Sequence, residues 1–311
     1  MADLIHMEIG DVCFSIRAKS KISNILHAHE PAYQSFFRKA NKSSNPETIK
    51  INVHLEWGIM PNIEALPKIF DSGHSWVMYQ DGEVYWITRK PPIDEIPLWM
   101  VRFDRDITEA TVYCGKKLIS ERDGKRVVSN PVRYPLDQLL LMYILAQNKG
   151  ALVHAAGMNI NGKGLIFPGK SGAGKSTLAR QFSYQKDPGK VVFSDDRMVV
   201  RKVEGTFKAY GTPWPGEGGI ALNKSMPLSG ILFLHHAAHG TRNRIKKIKP
   251  QEALEKLLPV TSIPWYDREV MPKVLQFCDD LVSNVPCFDL HFTPGIEVVK
   301  FLEEFNISSE E

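Results

Sequence analysis

Gly169-Lys170-Ser171-Gly172-Ala173-Gly174-Lys175-Ser176 matches G-x-x-x-x-G-K-[ST] at every fixed position, and Thr177 follows. Few backbones accommodate this run, because it needs a strand leading in and a helix leading out. Both are present in the sequence: apolar Leu165, Ile166 and Phe167 precede it, and Leu178 to Gln185 reads as a helix. The glycines let successive backbone N–H groups turn toward one anion, and the helix start adds its positive dipole end. Lys175 supplies a mobile cation for the β- and γ-phosphates, and the Ser176 hydroxyl a ligand for Mg²⁺. The run implies nucleotide binding through Gly169 to Thr177. With no nucleotide bound, Lys175 is expected to stand in solvent.

The rest of the chain separates into two styles. Up to about residue 130 it reads as short strands and turns. Thr48 to Leu55 alternates with period two, and Ser75 to Tyr79 and Val84 to Thr88 flank an Asp81-Gly82 hairpin signal. Arg102 to Cys114 alternates again, and a helix is expected around His29 to Lys42. From about residue 132 strands and helices alternate: a helix over Leu136 to Gln147, then strands over Ala151 to Ile160, Gly164 to Pro168, Lys190 to Ser194 and Ser229 to Leu234. A helix over Arg268 to Ser283, a strand over Cys287 to Phe292 and a helix over Ile296 to Phe305 close the chain. The expectation is an α/β P-loop domain over residues 131–311 preceded by a smaller β-rich domain over residues 1–130.

Composition narrows the class. The 311 residues carry 39 Lys and Arg against 35 Asp and Glu, a net +4, too little to argue for a nucleic-acid partner. No apolar stretch spans a membrane, and the first ten residues lack the basic start and apolar run of a signal peptide. The four cysteines, Cys13, Cys114, Cys278 and Cys287, have no paired spacing. A cytoplasmic protein without nucleic acid or membrane partners is expected.

A second acidic element follows the loop. Val191-Val192-Phe193-Ser194-Asp195-Asp196 is an apolar strand ending in two carboxylates, with 19 residues between Lys175 and Asp195. One carboxylate beside Mg²⁺ is expected in any such nucleoside triphosphatase; two permit a division between ion and base. The short spacing favours a kinase of a small or protein substrate over a motor.

His154, fifteen residues before the loop, and Asp195-Asp196-Arg197 at the strand end make residues 132 to 300 resemble the catalytic domain of HPr kinase/phosphorylase. That family shares its phosphate-loop fold with ATP-type phosphoenolpyruvate carboxykinase and phosphorylates a serine on a small carrier protein. The resemblance implies ATP and Mg²⁺ as ligands, with Lys175 holding the triphosphate and His154 beside the transferred phosphate. It makes Asp195 the general base, with Ser176, Asp196 and Glu217 on the metal side. The order of roles within the Asp pair stays open. Glu217 lies in Gly216-Glu217-Gly218-Gly219-Ile220, where the family has a glutamate-containing, glycine-rich segment; Trp214-Pro215 replaces the family's Arg-Gly pair. The later basic loop tied to the reverse reaction has no counterpart, and the first 130 residues do not match the family's partner domain. The nearer likeness is to the broader group with divergent N-terminal domains, some of which act on peptides.

The expected activity is ATP-dependent phosphorylation of serine on a peptide, on a small protein or as the free amino acid, by a chain that is a candidate homo-oligomer. Two other readings stay open: a nucleotide-binding regulatory or assembly module with little turnover, and a carboxykinase-like enzyme on a small acid. His235, His236 and His239 form a cluster read as a loop that lacks a further metal ligand. Arg242, Arg244, Lys246, Lys247 and Lys249 form a basic run, read as a solvated face. The aromatics of the first part, among them Trp57, Trp76, Tyr79, Tyr85, Trp86 and Trp99, are read as core or as an acceptor-recognition face.

Overall fold

The computed structural model describes residues 4–18, 25–26, 31–38, 48–58, 60–73, 75–89, 97–122, 125–184, 187–238 and 241–307. The chain divides into two compact units, Met1–Ile144 and Leu145–Glu311.

The strands of the first unit are β1 (Leu4–Ile9), β2 (Val12–Ala18), β3 (Ile25–Leu26), β4 (Phe37–Arg38), β5 (Ile49–Trp57) and β6 (Lys68–Asp71). They continue as β7 (Trp76–Asp81), β8 (Val84–Arg89), β9 (Trp99–Asp104), β10 (Glu109–Cys114), β11 (Ile119–Arg122) and β12 (Lys125–Ser129). Most join one sheet in the order β4-β1-β2-β5-β10-β9-β8-β7-β6, and β11, β12 and β3 form a second. Alternation places Ile51, Val53 and Leu55 of β5 in the core, with Lys50 and Asn52 outside. The β7–β8 hairpin turns at Gly82, whose φ is 57°.

Helix α1 (Leu136–Gln147) starts where the sequence places it. Its Tyr143 ring packs against Tyr85 and Phe103, at 5.4 and 5.7 Å between centroids. That packing draws the boundary between units to Ile144, inside α1, and away from residue 130. Of the helix expected around 29–42, the described residues hold a 3₁₀ turn, Pro31–Phe36, that runs into β4. Aromatic Phe36 and Phe37 suit a sheet edge better than a helix, and Phe37 pairs with Met7 of β1. Tyr85 and Trp99 are buried, whereas Trp86 stacks on Tyr113 on a half-exposed face.

The second unit contains β13 (Gly150–Ile160), β14 (Lys163–Pro168), α2 (Lys175–Ser183), β15 (Lys190–Ser194), β16 (Arg197–Val203) and β17 (Thr206–Gly211). It continues through β18 (Ser225–Pro227), β19 (Gly230–His236), β20 (Arg244–Lys247), α3 (Pro250–Leu257), α4 (Met271–Asn284), β21 (Cys287–Phe292) and α5 (Ile296–Glu304). The sheet order is β18-β17-β16-β13-β14-β19-β21-β20, with β15 paired to β13. Among the described residues, the pairings β14–β19 and β19–β21 are parallel and the others on this path antiparallel. The alternation of strands and helices expected from about residue 132 onward is interrupted after β15, where β16 and β17 form an antiparallel hairpin. Its turn, Glu204-Gly205, holds φ of 49° and 80°.

Helices α2 and α5 cover one face of this sheet. Leu178 and Phe182 of α2 and Val298 and Leu302 of α5 recur at i, i+4, and they pack on Phe167 and Leu290. On the other face α4 contacts β13, and its Phe277 meets Phe207. The basic run lies along β20, the sheet's edge, with Arg244, Lys246 and Lys247 exposed and Ile245 packed on the core. Exposed charges on an edge strand oppose pairing with another chain. All four cysteines are free and buried, and burial pushes the Cys278 and Cys287 thiols up to about 12. Among the described residues, no helix is long and apolar enough to cross a membrane.

Candidate functional site

The phosphate loop leaves β14 at Pro168 and enters α2 at Lys175. It is tied to β13 through the Gly169 amide, which donates to the His154 carbonyl at 3.1 Å, and closes on itself through Ala173 N–H to the Lys170 carbonyl at 3.1 Å. Gly174 caps α2 with a φ of 94°. A methyl group there would stand 3.0 Å from the Phe292 ring and 3.2 Å from the His236 ring, so both conformation and space require glycine. Lys170, Ser171 and Thr177 are exposed, and Ser176 is half-buried.

Lys175 is not in solvent. It is 5% exposed, and its ammonium donates to the carbonyls of Gly169 and Lys170 at 2.8 and 2.9 Å. Desolvation lowers its pKa below the ordinary lysine value, against the opposing pull of Asp196. The loop itself buries the cation, because carbonyls freed from regular structure by the turn need donors.

The two aspartates occupy different surroundings. Asp195 is fully buried, and its carboxylate accepts three backbone amides: Gly216 N–H at 3.0 Å, Gly218 N–H at 2.6 Å and Ile220 N–H at 3.3 Å. It shapes the glycine-rich segment around itself. A methyl group on Gly218 would stand 2.6 Å from Asp195 Oδ2. A carboxylate facing three donors on both oxygens has its acceptor sites taken up by the 216–220 segment.

Asp196 is turned the other way. Ser194 Oγ, fully buried, accepts the amides of Asp196 and Arg197 at 3.3 and 3.2 Å, and the chain bends there from β15 into β16. Ala155 N–H donates to the Asp196 carbonyl at 2.9 Å, which holds Asp196 beside β13. Its Oδ1 meets His154 Nε2 at 2.8 Å and its Oδ2 meets Arg197 Nε at 3.4 Å. Burial works to raise the Asp196 pKa, but the His154 hydrogen bond and the charges of Arg197 and Lys175 outweigh it and hold the carboxyl below its usual range.

Gly216 sits where these groups converge. A methyl group added to it would stand 3.0 Å from Asp195 Oδ2, 3.1 Å from Asp196 Cβ and 3.4 Å from Ser176 Oγ. The structure thus gathers Ser176, Asp195 and Asp196, with His154 behind Asp196. It does not bring Glu217 inward: that side chain is 89% exposed and meets Arg180 of α2 at 3.5 Å.

Two contacts were not legible in the sequence. His235 and His236 belong to strand β19, not to a loop, because they pair with His291 and Phe292 of β21. His236 Nε2 lies 3.0 Å from the Gly172 carbonyl and so supports the phosphate loop from the side. His239 falls outside the described residues. Beyond His236 and Phe292, an open cleft of about 820 Å³ is lined by Ala237, Arg242, Asn243, Thr293, Glu297 and Lys300.

No family model matches the chain, and no curated protein sequence does so either. Among solved structures, the HPr(Ser) kinase/phosphatase from Coxiella burnetii is similar to part of it. That likeness has 14% identity and a TM-score of 0.25, and it covers 49% of this chain and 86% of that one.

Proposed function

We propose that the chain is an ATP-dependent kinase that transfers the γ-phosphoryl group to a serine hydroxyl on a peptide, on a small protein or on free serine. The supporting observation is the convergence at Gly216, where an added methyl group would stand 3.4 Å from the Ser176 hydroxyl at the head of α2, 3.0 Å from Asp195 Oδ2 and 3.1 Å from Cβ of Asp196, whose carboxylate is backed by His154. The loop amides and Lys175 bind the triphosphate, and Lys175 exchanges its two loop carbonyls for phosphate oxygens. The nucleoside extends toward the cleft past His236 and Phe292.

The donors left for an ion are oxygens, from the Ser176 hydroxyl and the Asp196 carboxylate, which suits Mg²⁺. Ser176 would hold the ion, with the carboxylates supplying charge beside it, and Mg²⁺ would neutralise the β- and γ-phosphate oxygens.

The division of roles reverses the one implied by family resemblance. Asp195 is the positioning residue, because its oxygens are committed to the 216–220 segment. Asp196 accepts the serine proton. Its lowered pKa keeps it ionised at neutral pH, and a loose phosphoryl-transfer transition state asks little of base strength. His154 orients Asp196 through Nε2. Glu217 has no part in holding the ion.

The test is label transfer from γ-labelled ATP to free serine, to serine-containing peptides or to water. Transfer to serine is expected, with a loss of about 10²–10⁴-fold in Asp196→Asn while Mg-ATP still binds. Release of label only to water, or no release at all, would instead favour a nucleotide-binding module with little turnover.

A further inference from the structure

We infer that His235, Asp289 and His291 form a binding site for one Zn²⁺ ion per chain, on the face of the sheet opposite the phosphate loop. Strand register assembles it. β19 and β21 run parallel, with His235 opposite His291, and Asp289 lies two residues earlier on the same face. The alternate residues His236 and Phe292 point to the loop side, where they touch Gly172 and Gly174. The two imidazole rings are 4.7 Å apart and nearly parallel, and His235 Nε2 lies 2.8 Å from Asp289 Oδ1.

The ligand atoms of the three residues all fall within 4.8 Å of one another. Ligands of a tetrahedral zinc ion, at bond lengths near 2.1 Å, stand about 3.4 Å apart, so closing the set requires the stacked rings to rotate until both ring planes meet at the ion. Two imidazoles and one carboxylate suit zinc better than magnesium or calcium, and leave a fourth position for water.

Asp289 is only 7% exposed and needs a cation. Lys256 of α3 supplies it, at 2.7 Å from both carboxylate oxygens. The same ammonium lies 2.7 Å from Glu252 Oε1, one turn back on α3. When zinc arrives, Lys256 therefore gives up Asp289 and keeps Glu252. The site exchanges one cation for another, and the ammonium is its built-in competitor.

The test is calorimetric titration of ZnCl₂ into tag-free protein without nucleotide, which makes it independent of the kinase reading. One ion per chain is expected. His291→Ala should weaken binding at least 100-fold, and Lys256→Met should tighten it about tenfold by removing the competitor. Absence of stoichiometric zinc in the wild type, unchanged affinity in His291→Ala, or weaker binding in Lys256→Met would overturn the assignment. If His291→Ala does not fold, Co²⁺ spectra decide: visible d–d bands of imidazole-bound Co²⁺ must appear in the wild type and vanish in His235→Gln, and any other pattern counts against the site.

Discussion

Asp195→Asn separates the two carboxylates by what each does to stability. Asp195 Oδ1 accepts from Gly216 and Ile220, and Oδ2 from Gly218 at 2.6 Å. An asparagine can keep its oxygen toward Gly216 and Ile220, but its amide then faces the Gly218 N–H, donor against donor. A hydrogen bond to a charged group contributes about 1.5–3 kcal/mol, and the two remaining bonds lose their charge assistance, so the total cost is about 3–5 kcal/mol. For a unit the size of Leu145–Glu311 this is a fall in melting temperature of about 10 °C. Asp196→Asn behaves differently. Its side chain is 30% exposed, and an asparagine oxygen still accepts from His154 Nε2, so the cost is under about 1 kcal/mol. Thermal melts of both variants without nucleotide, alongside transfer rates, check this. Asp195→Asn should melt early, and Asp196→Asn should melt near wild type but be inactive. An Asp195→Asn protein melting within about 2 °C of wild type would refute the view that this carboxylate anchors the 216–220 segment.

Lys175→Met and Lys175→Ala should both abolish nucleotide binding, and each should cost about 1–2 kcal/mol of stability because neither side chain can donate to the Gly169 and Lys170 carbonyls; equilibrium dialysis with ATP and urea unfolding check the two effects. Because the Asp196 carboxyl is held below its usual range, the stability from its pairing is complete above about pH 4 and is lost as pH falls through the lower folded value. Melts taken down to acid pH should show that loss in wild type and not in Asp196→Asn. Glu217→Gln should leave the Mg²⁺ dependence of transfer within about twofold, since its side chain meets Arg180 in solvent; a tenfold rise in the Mg²⁺ requirement, measured by titration at fixed ATP, would return Glu217 to the metal side.

Much of the framework was readable residue by residue. The β7–β8 hairpin follows from Asp81-Gly82, and α1 from the apolar run Leu139 to Ala146 behind Pro135. Other elements were hidden by their charge. Arg197, Arg201 and Lys202 interrupt the apolar pattern of β16, whose Arg201 is nonetheless buried, and its Glu204-Gly205 turn lacks the usual Asn or Asp. Helix α3 is short and carries Glu252, Glu255 and Lys256, but Pro250 at its first turn and buried Ala253 and Leu257 four apart were available as signals.

The form of the 169–176 loop follows from local sequence. Gly172 and Gly174 hold φ of 82° and 94°, which glycine adopts freely, and α2 begins directly behind them. The roles of its neighbours depended on the fold. Asp195 and Asp196 are chemically identical and adjacent, and only the return of Gly216 to Ile220 saturates one, while the placement of β13 gives the other to His154. Lys175 looked like a solvated cation until the loop carbonyls closed on it. His235 and His291, more than fifty positions apart, meet because β19 and β21 share a register. A side chain's chemistry travels with its sequence; its hydrogen-bond partners and burial are settled only by what distant segments bring against it.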